Sequence, residues 1–309
     1  IKDVREYLSI IKINGTFVKA FITKSIQKKD GYYYLHGCIN QASAISGRLT
    51  SNDPNLQNMP SAGEWGKAIK ACFMPPPGYV MLGSDYNALE ARIGAMRTGD
   101  KTMIKVFTDG FDSHSLNTYN YATGQEDWYA NIKDPEDPKY INLIKTLAPK
   151  DRDNSKPTTF ALQYLGTFAT LMNNQGYSKE KSKRLEKSYR TLYSGYFTVL
   201  KSITDLAAVD GFIKVAYGLR IDTPAAFNSV LNSSVTPAAV KAENRSISNA
   251  VSQSYGQINT KAADDFMRRV WKSKYRYSVH LIGLIHDAIY LYGPQNFACI
   301  EWINENLID

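Results

Sequence analysis

Val80 to Arg92 reads VMLGSDYNALEAR, and its two halves carry different periodicities. Val80, Met81 and Leu82 form an apolar run behind Pro75-Pro76-Pro77-Gly78, which predicts a short buried strand entered from a turn and closed by Asp85. From Asn87 onward Leu89, Ile93 and Met96 recur at helical spacing, with Glu90 one helical turn past Tyr86. A carboxylate at a strand's carboxyl end, followed by a turn and a helix, is aimed into a cleft. The same residue also serves as an ordinary helix N-cap, because Asp accepts orphan amide protons. A partner elsewhere in the chain decides between the two.

The C-terminal region offers that partner. Ser278 to Tyr292 reads SVHLIGLIHDAIYLY, in which Leu281, Ile282, Leu284 and Ile285 precede His286-Asp287 and Ile289, Tyr290 and Leu291 follow. This is the pattern of a buried hairpin with a polar pair at its tip, although Asp is also common in a plain two-residue turn. Between the two acids lies Asp151 to Gly166, DRDNSKPTTFALQYLG, with Arg152, Lys156, Phe160 and Tyr164 each four apart. Four residues advance a helix by about 400°, so two cations and two rings share one face. Such a face suits a triphosphate and a stacked base, or equally the polar edge of an amphipathic helix.

The remaining segments frame these three. Ile1 to Phe21 is mostly helical with a break at Asn14-Gly15, and Tyr32 to Tyr34 is a short β-prone run. Gln41 to Met59 lacks either period and is expected as an ordered loop or short helices, whose Arg48, Asn52, Asn55, Gln57 and Asn58 can reach phosphates or base edges. Asp112-Ser113-His114 starts a helix, and Glu126 to Pro138 is read as a surface excursion. Tyr177 to Leu206 is a packed pair of helices, and Gly211 to Thr223 a hairpin. Ala238 to Val270 is a long helical region that sets Arg245, Asn249 and Gln253 on one face, where long polar side chains can enter a minor groove.

Composition narrows the classes. No apolar run approaches the roughly 20 residues of a membrane span. Lysine and arginine total 37 against 29 acids, a formal charge of +8, which favours a polyanionic partner. Cys38, Cys72 and Cys299 stand alone, with neither zinc-ligand spacing nor a disulfide framework, and are expected as buried apolar thiols.

Taken together, SGRLTSNDPNLQNMP (Ser46 to Pro60), DYNALEAR (Asp85 to Arg92), R-x3-K-x3-F-x3-Y (Arg152 to Tyr164), R-x3-N-A-x2-Q (Arg245 to Gln253) and HD (His286 to Asp287) occur in the order and rough spacing of the family A DNA polymerases. The chain resembles that family from about Ile1 to about Asn306. The resemblance implies an α+β right-hand polymerase with an antiparallel-sheet palm and helical fingers, the thumb only partly present. Residues 1–30 correspond to the end of the thumb, 31–90 to the first part of the palm, 91–240 to the fingers and 241–309 to the returning palm with its catalytic hairpin. It further implies that most of the thumb, and any exonuclease domain, precede Ile1 and that the palm's last strand lies after Asp309.

The implied activity is template-directed addition of dNTPs to a primer 3′-hydroxyl with pyrophosphate release. Two carboxylates about 4 Å apart repel by roughly 4 kcal/mol at an effective dielectric of about 20, so Asp85 and Asp287 converge only around cations. The resemblance supplies two Mg2+ ions, with Mn2+ a substitute, held by Asp85, Asp287 and the Tyr86 carbonyl. It assigns His114, Arg152 and Lys156 to the phosphates, Lys156 also to protonation of pyrophosphate, Phe160 to the nucleotide base or sugar, and Glu90 to a steric gate against a 2′-hydroxyl. Tyr164 falls near the templating base. Arg48, Asn55, Gln57, Asn58, Arg245, Asn249, Gln253 and His286 fall on the primer-template. The implied partners are primer-template DNA, dNTPs and a processivity factor or other replisome proteins, with no membrane. The implied setting is cytoplasmic, the host cytoplasm for a bacteriophage enzyme, towards which the compact, divergent motifs incline the reading; an organellar member would look alike.

Departures from the family pattern are specific. Ala288 stands where motif C carries Glu, and Ala88 where Gln is usual; Leu165 intervenes between Tyr164 and Gly166. Pro157 predicts a kink or a later helix start. His114 and Arg152 are farther apart than usual, which places an excursion in the fingers. Two other readings compete: a catalytically silent polymerase-like DNA-binding module, favoured by Ala288, and a single-subunit RNA polymerase relative, disfavoured by Glu90.

Overall fold

The computed structural model describes residues 2–41, 43–60, 63–231 and 235–308. Ile1, Ala42 and Asp309, which bound or interrupt segments of interest, lie outside the described residues. The chain divides into two compact units, Ile1–Asn87 with Gly256–Asp309, and Ala88–Tyr255.

The first unit is built on a three-stranded antiparallel sheet in the order Tyr79–Asp85, Ala288–Pro294, His280–Ile285. The register pairs Tyr79 with Pro294 and Asp85 with Ala288, while Ile285 meets Ala288 across the hairpin. The apolar runs read from sequence form this sheet because one face is covered by two helices, Gln257–Lys272 and Phe297–Leu307. Their stripes bring Ala263, Phe266, Val270, Cys299 and Ile303 against Val279, Ile289 and Leu291, all nearly inaccessible. Each large apolar side chain contributes about 1.5–3 kcal/mol on full burial, so Ile289 and Leu291 anchor the second strand of the hairpin bearing His286-Asp287, whereas on the first strand Leu281, Leu284 and Ile285 are half-buried and Ile282 is exposed.

Elsewhere in this unit three expectations change. Asn14-Gly15 does not break the first helix: Lys2–Ile13 runs through a π-helical turn, Asn14–Val18, into Lys19–Lys24. The wider turn keeps the chain helical and buries Phe17. The Gln41 to Met59 region is neither pure loop nor helix, since Thr50–Asn52 pairs with Cys38–Asn40. Side-chain turns organise the residues after that strand, with the Leu56 amide donating to Ser51 Oγ and the Gln57 amide to Asn55 Oδ1. Of the cysteines only Cys299 is buried; Cys38 and Cys72 are exposed.

The second unit is largely helical. Its main core gathers Leu162, Leu171, Leu185, Tyr189, Tyr196, Leu200 and Val251 from the Pro149–Gln163, Phe168–Gln175, Lys179–Leu192, Ser194–Asp210 and Pro237–Gln253 helices. Asp100 is buried yet satisfied, capping its own helix through the Met103 amide and accepting from the Tyr196 amide. The expected hairpin is Phe212–Lys214 with Arg220–Asp222.

Glu126 to Pro138 is not a simple surface excursion, because Trp128 and Ile132 join Ile141, Ile144 and Ala148 in a core of their own. Pro157 does not delay the helix, which begins at Pro149 and continues to Gln163. Buried Ser155, Thr158, Thr159 and Leu162 fix both sides of the proline, offsetting the missing amide. Ala238 to Val270 is not continuous either: Pro237–Gln253 and Gln257–Lys272 are separated by a 3-10 turn, Ser254–Gly256, where the two units divide. Among the described residues no helix is long and apolar enough to cross a membrane.

Candidate active site

In the first unit Asp85 ends its strand directly opposite Ala288, and the Tyr86 amide donates to the Asp287 carbonyl at 3.3 Å. Asp85 is therefore not the cap of the following helix, whose N-cap position is Ala88 in a left-handed conformation, φ 54°. Both acids stand at the same end of the sheet. The turn between the strands of the hairpin is only His286-Asp287, and His286 takes φ 54°, a conformation uncommon for residues other than glycine.

Two contacts hold that turn. Arg48 Nη2 reaches Asp287 Oδ1 at 3.2 Å, both side chains being largely buried. Asn259, 1% exposed, donates through Nδ2 to the carbonyls of His286 and Ala288, each at 3.2 Å. Gln57 is likewise buried, and its side-chain amide donates to the Leu284 carbonyl at 2.8 Å. Asn55, Asn58 and His286 are exposed.

This donor set suits a hard divalent cation. Two carboxylates and a backbone carbonyl supply oxygen only, and Mg2+ is ordinarily held by one or two carboxylates with water and substrate phosphates completing the octahedron. Among the described residues there is no cluster of three or more His, Cys, Asp or Glu side chains.

The second unit carries the nucleotide-directed candidates. Arg152, Lys156 and Phe160 lie on the Pro149–Gln163 helix, whereas Tyr164 is its C-cap and leaves the row; Leu165 comes next at φ 56°. The Tyr164 hydroxyl donates to Glu90 Oε2. His114 lies in the first turn of Ser113–Tyr121, and its ring meets Phe160 edge-on at 5.7 Å. Thr118 Oγ1 donating to Ser155 Oγ, and Tyr121 pairing with Thr159, zip these two helices together.

Asp112, read from sequence only as a helix start, which it is, also proves to be a hub. It caps the Ser113–Tyr121 helix through the Ser115 amide and receives Arg152 in a two-pronged pair, Nε to Oδ2 at 2.7 Å and Nη2 to Oδ1 at 2.9 Å. Burial pushes this carboxyl up, but the Arg152 and Ser115 hydrogen bonds outweigh it and hold the group far below the usual carboxylate range. Burial and the Arg152 charge together lower His114 from its ordinary value, so its imidazole is neutral at neutral pH. Its Nδ1 is buried with no hydrogen-bond partner among the described residues. Lys156 Nζ donates to Asp153 at 2.7 Å. Arg245, Asn249 and Gln253 are half-buried on the Pro237–Gln253 helix, beside its fully buried Ile247, Ala250 and Val251. Nothing in the residues around Asp112 or around Arg152 signals their pairing; only the fold brings the two together.

Residues 1–298 match DNA polymerase family A, and the chain belongs to that family. This decides between the two polymerase families weighed from sequence. The chain is 26% identical to DNA polymerase I of Pseudomonas aeruginosa over 94% of its own length and 29% of that protein. It is 29% identical to DNA polymerase I of Lactococcus lactis subsp. lactis over 72% of this chain and 23% of the relative. With the thermostable DNA polymerase I of Thermus filiformis it shares 23% identity over 96% of this chain and 32% of that one. The chain thus spans less than a third of the length of these relatives. In fold it is similar to the POL domain of Pol1 from M. smegmatis, solved in complex with DNA primer-template and dNTP, with a TM-score of 0.77 at 24% identity over 96% of this chain and 47% of that chain.

Proposed function

We propose that this chain carries the nucleotidyl-transfer site of a DNA-directed DNA polymerase, which extends a primer 3′-hydroxyl with dNTPs and releases pyrophosphate. The observation that carries the reading is the pair Asp85 and Asp287, set at one end of a sheet by a register in which Asp85 faces Ala288. On this reading the first unit supplies the palm and the end of the thumb, and the second the fingers.

Asp85, Asp287 and the Tyr86 carbonyl would hold Mg2+ or Mn2+, two ions in the family scheme, whose chemistry is to acidify the primer hydroxyl and to offset charge on the triphosphate and departing pyrophosphate. Arg48 keeps the Asp287 carboxylate oriented. Arg152 and Lys156 bind the β and γ phosphates, and Lys156 is placed to give a proton to pyrophosphate. Neutral His114 adds a hydrogen-bond donor to the phosphates without a further charge. Phe160 stacks on the incoming nucleotide, and Glu90, held by the Tyr164 hydroxyl, excludes a 2′-hydroxyl. Arg48, Asn55, Asn58, Gln57, Arg245, Asn249, Gln253 and His286 read duplex geometry in primer-template DNA, where minor-groove acceptors are common to all base pairs. A replisome or processivity partner belongs to the same proposal.

Primer extension with Mg2+ tests it, comparing Asp85→Asn with the parent while primer-template binding is followed by fluorescence anisotropy. The expected result is loss of extension with binding kept. Extension that survives the substitution would sink the assignment, and binding without extension by the parent would establish the silent module instead.

A further inference from the structure

We propose that the segment from Thr123 to Ala148 is a positioning element for Arg152, acting through Asp112, with Asn142 as the residue that transmits it. The inference rests on the reading of Arg152 as a triphosphate-binding cation and names what holds that cation in place.

The segment has the means to be rigid. Trp128, Ile132, Ile141, Ile144 and Ala148 form a core that Phe111, Leu116 and Tyr119 from the preceding stretch complete. Glu126 closes its entry, accepting from the Thr123 and Gly124 amides. The ring of Tyr129 stacks on Tyr119 of the His114-bearing helix, centroids 4.9 Å apart and planes within 8°.

From this core three polar groups reach the Arg152 neighbourhood. Asn142 Oδ1 accepts the Asp112 amide at 2.7 Å while its Nδ2 donates to the Gly110 carbonyl at 3.0 Å, fixing the backbone on which the Asp112 carboxylate is carried. Lys145 Nζ stands 3.6 Å from Asp112 Oδ1. Trp128 Nε1 donates to Asp151 Oδ2 at 2.8 Å, tying the segment to the residue before Arg152. Asp112 in turn takes Nε and Nη2 of Arg152, and the third nitrogen, Nη1, is 3.9 Å from Asp153. A guanidinium on a long side chain is aimed only if its planar fork is engaged, and here both prongs are fixed by a residue the segment itself holds. Arg152 is then set before a triphosphate arrives, which lowers the cost of ordering it on binding.

The test is single-nucleotide insertion kinetics with the full chain on a defined primer-template, for Asn142→Leu, Arg152→Ala and the double variant. Asn142→Leu removes both side-chain bonds; it is expected to raise KM for dNTP by at least about fivefold, the factor for the single bond to the Asp112 amide, with kcat and DNA affinity kept. In the Arg152→Ala background it should add nothing, as two residues acting through one contact do. Arg152→Ala that raises KM beside Asn142→Leu that does not overturns the inference alone. Arg152→Ala without effect overturns the triphosphate reading as well. Additive effects in the double variant mean that the segment only stabilises the fold, and overturn the proposal. Should Asn142→Leu not fold, Asn142→Ser at this half-buried position shortens the side chain so that it no longer reaches the Asp112 amide and leaves the apolar core untouched; it is expected to raise KM in the same way, and an unchanged KM overturns the proposal.

Discussion

Replacing Asp112 by Asn separates its charge from its shape. Asn is as good an N-cap as Asp, so the hydrogen bond from the Ser115 amide survives. What is lost is the carboxylate between Arg152 and Lys145: one of two charge-assisted bonds to the guanidinium becomes a clash of donors. Both partners are largely withdrawn from water, side chains 12% and 20% exposed, so solvent screens little of this loss. One charge-assisted hydrogen bond and part of a pair charge amount to about 2–3 kcal/mol. For a unit of this size that is a fall of about 4–12 °C in Tm. Asp112→Ala, which also removes the cap, should cost about 1 kcal/mol more. Thermal and urea denaturation at neutral pH measure the gap between parent and Asp112→Asn. Its pH dependence has a fixed sign. The folded-state carboxyl lies below its unfolded value, so the stabilisation is full above the ordinary carboxylate pKa of about 3.9 and is lost as pH falls from there towards the folded value. The gap should therefore be constant from neutral pH down to about 5 and shrink below about 4. A gap under about 0.5 kcal/mol at neutral pH, or one that vanishes in about 0.5 M salt as an exposed pair would, refutes the assignment of Asp112 as a buried anchor.

Glu90→Ala should raise ribonucleotide incorporation by at least about tenfold, read as the ratio of kcat/KM for rNTP and dNTP; an unchanged ratio removes the gate from Glu90. With Phe160 rather than Tyr on the helix row proposed to face the nucleotide, dideoxynucleotides should be poor substrates, and efficient chain termination by the unmodified protein contradicts that proposal. Asn259→Leu removes both donors that hold the His286 and Ala288 carbonyls, so it should destabilise the first unit by about 1–3 kcal/mol in thermal denaturation and raise the Mg2+ concentration at half-maximal extension. If the Mg2+ midpoint is unmoved while stability falls, Asn259 supports the hairpin without setting Asp287.

Local pattern explains what could be read in advance. The Val80 to Leu82 run, the helix after Asn87 and the hairpin around His286-Asp287 each announce themselves by period and turn chemistry within a few residues, and each formed, although Val80 to Leu82 and most of the first hairpin strand are half-buried where buried strands were expected. The corrections arise where the decisive contact is distant in sequence. Arg48 and Asp287 are 239 residues apart, and nothing local to either names the other. Asn259 sits in a stretch read for its Arg245, Asn249 and Gln253 face, and its function as a clamp depends on a 3-10 turn at Ser254–Gly256 that ordinary helix formers on both sides conceal. The polar, proline-bearing stretch after Gly124 reads as solvated because its apolar residues are sparse. They become a core only when the Phe111 and Tyr119 side chains supply the rest of it.

The missing glutamate of motif C can be understood from the same contacts. Ala288 is 6% exposed and pairs with Asp85 on one side and Ile285 on the other. A glutamate rooted there would start from a buried position beside two acids already set at one end of the sheet, and a third negative charge within about 4 Å of either costs roughly 4 kcal/mol at an effective dielectric of about 20. A polymerase bearing that glutamate must meet this cost with cations. This chain lowers it at the source by omitting the acid, and it places the Arg48 guanidinium 3.2 Å from Asp287. The Asp287 carboxylate is thereby paired within the protein itself. Fixed positive charge nearby weakens the attraction of the same oxygens for a divalent ion, and it also keeps them oriented without one. If Asp85 and Asp287 hold metal ions as proposed, Ala288 and Arg48 together would make a site that is oriented without them and holds them less tightly.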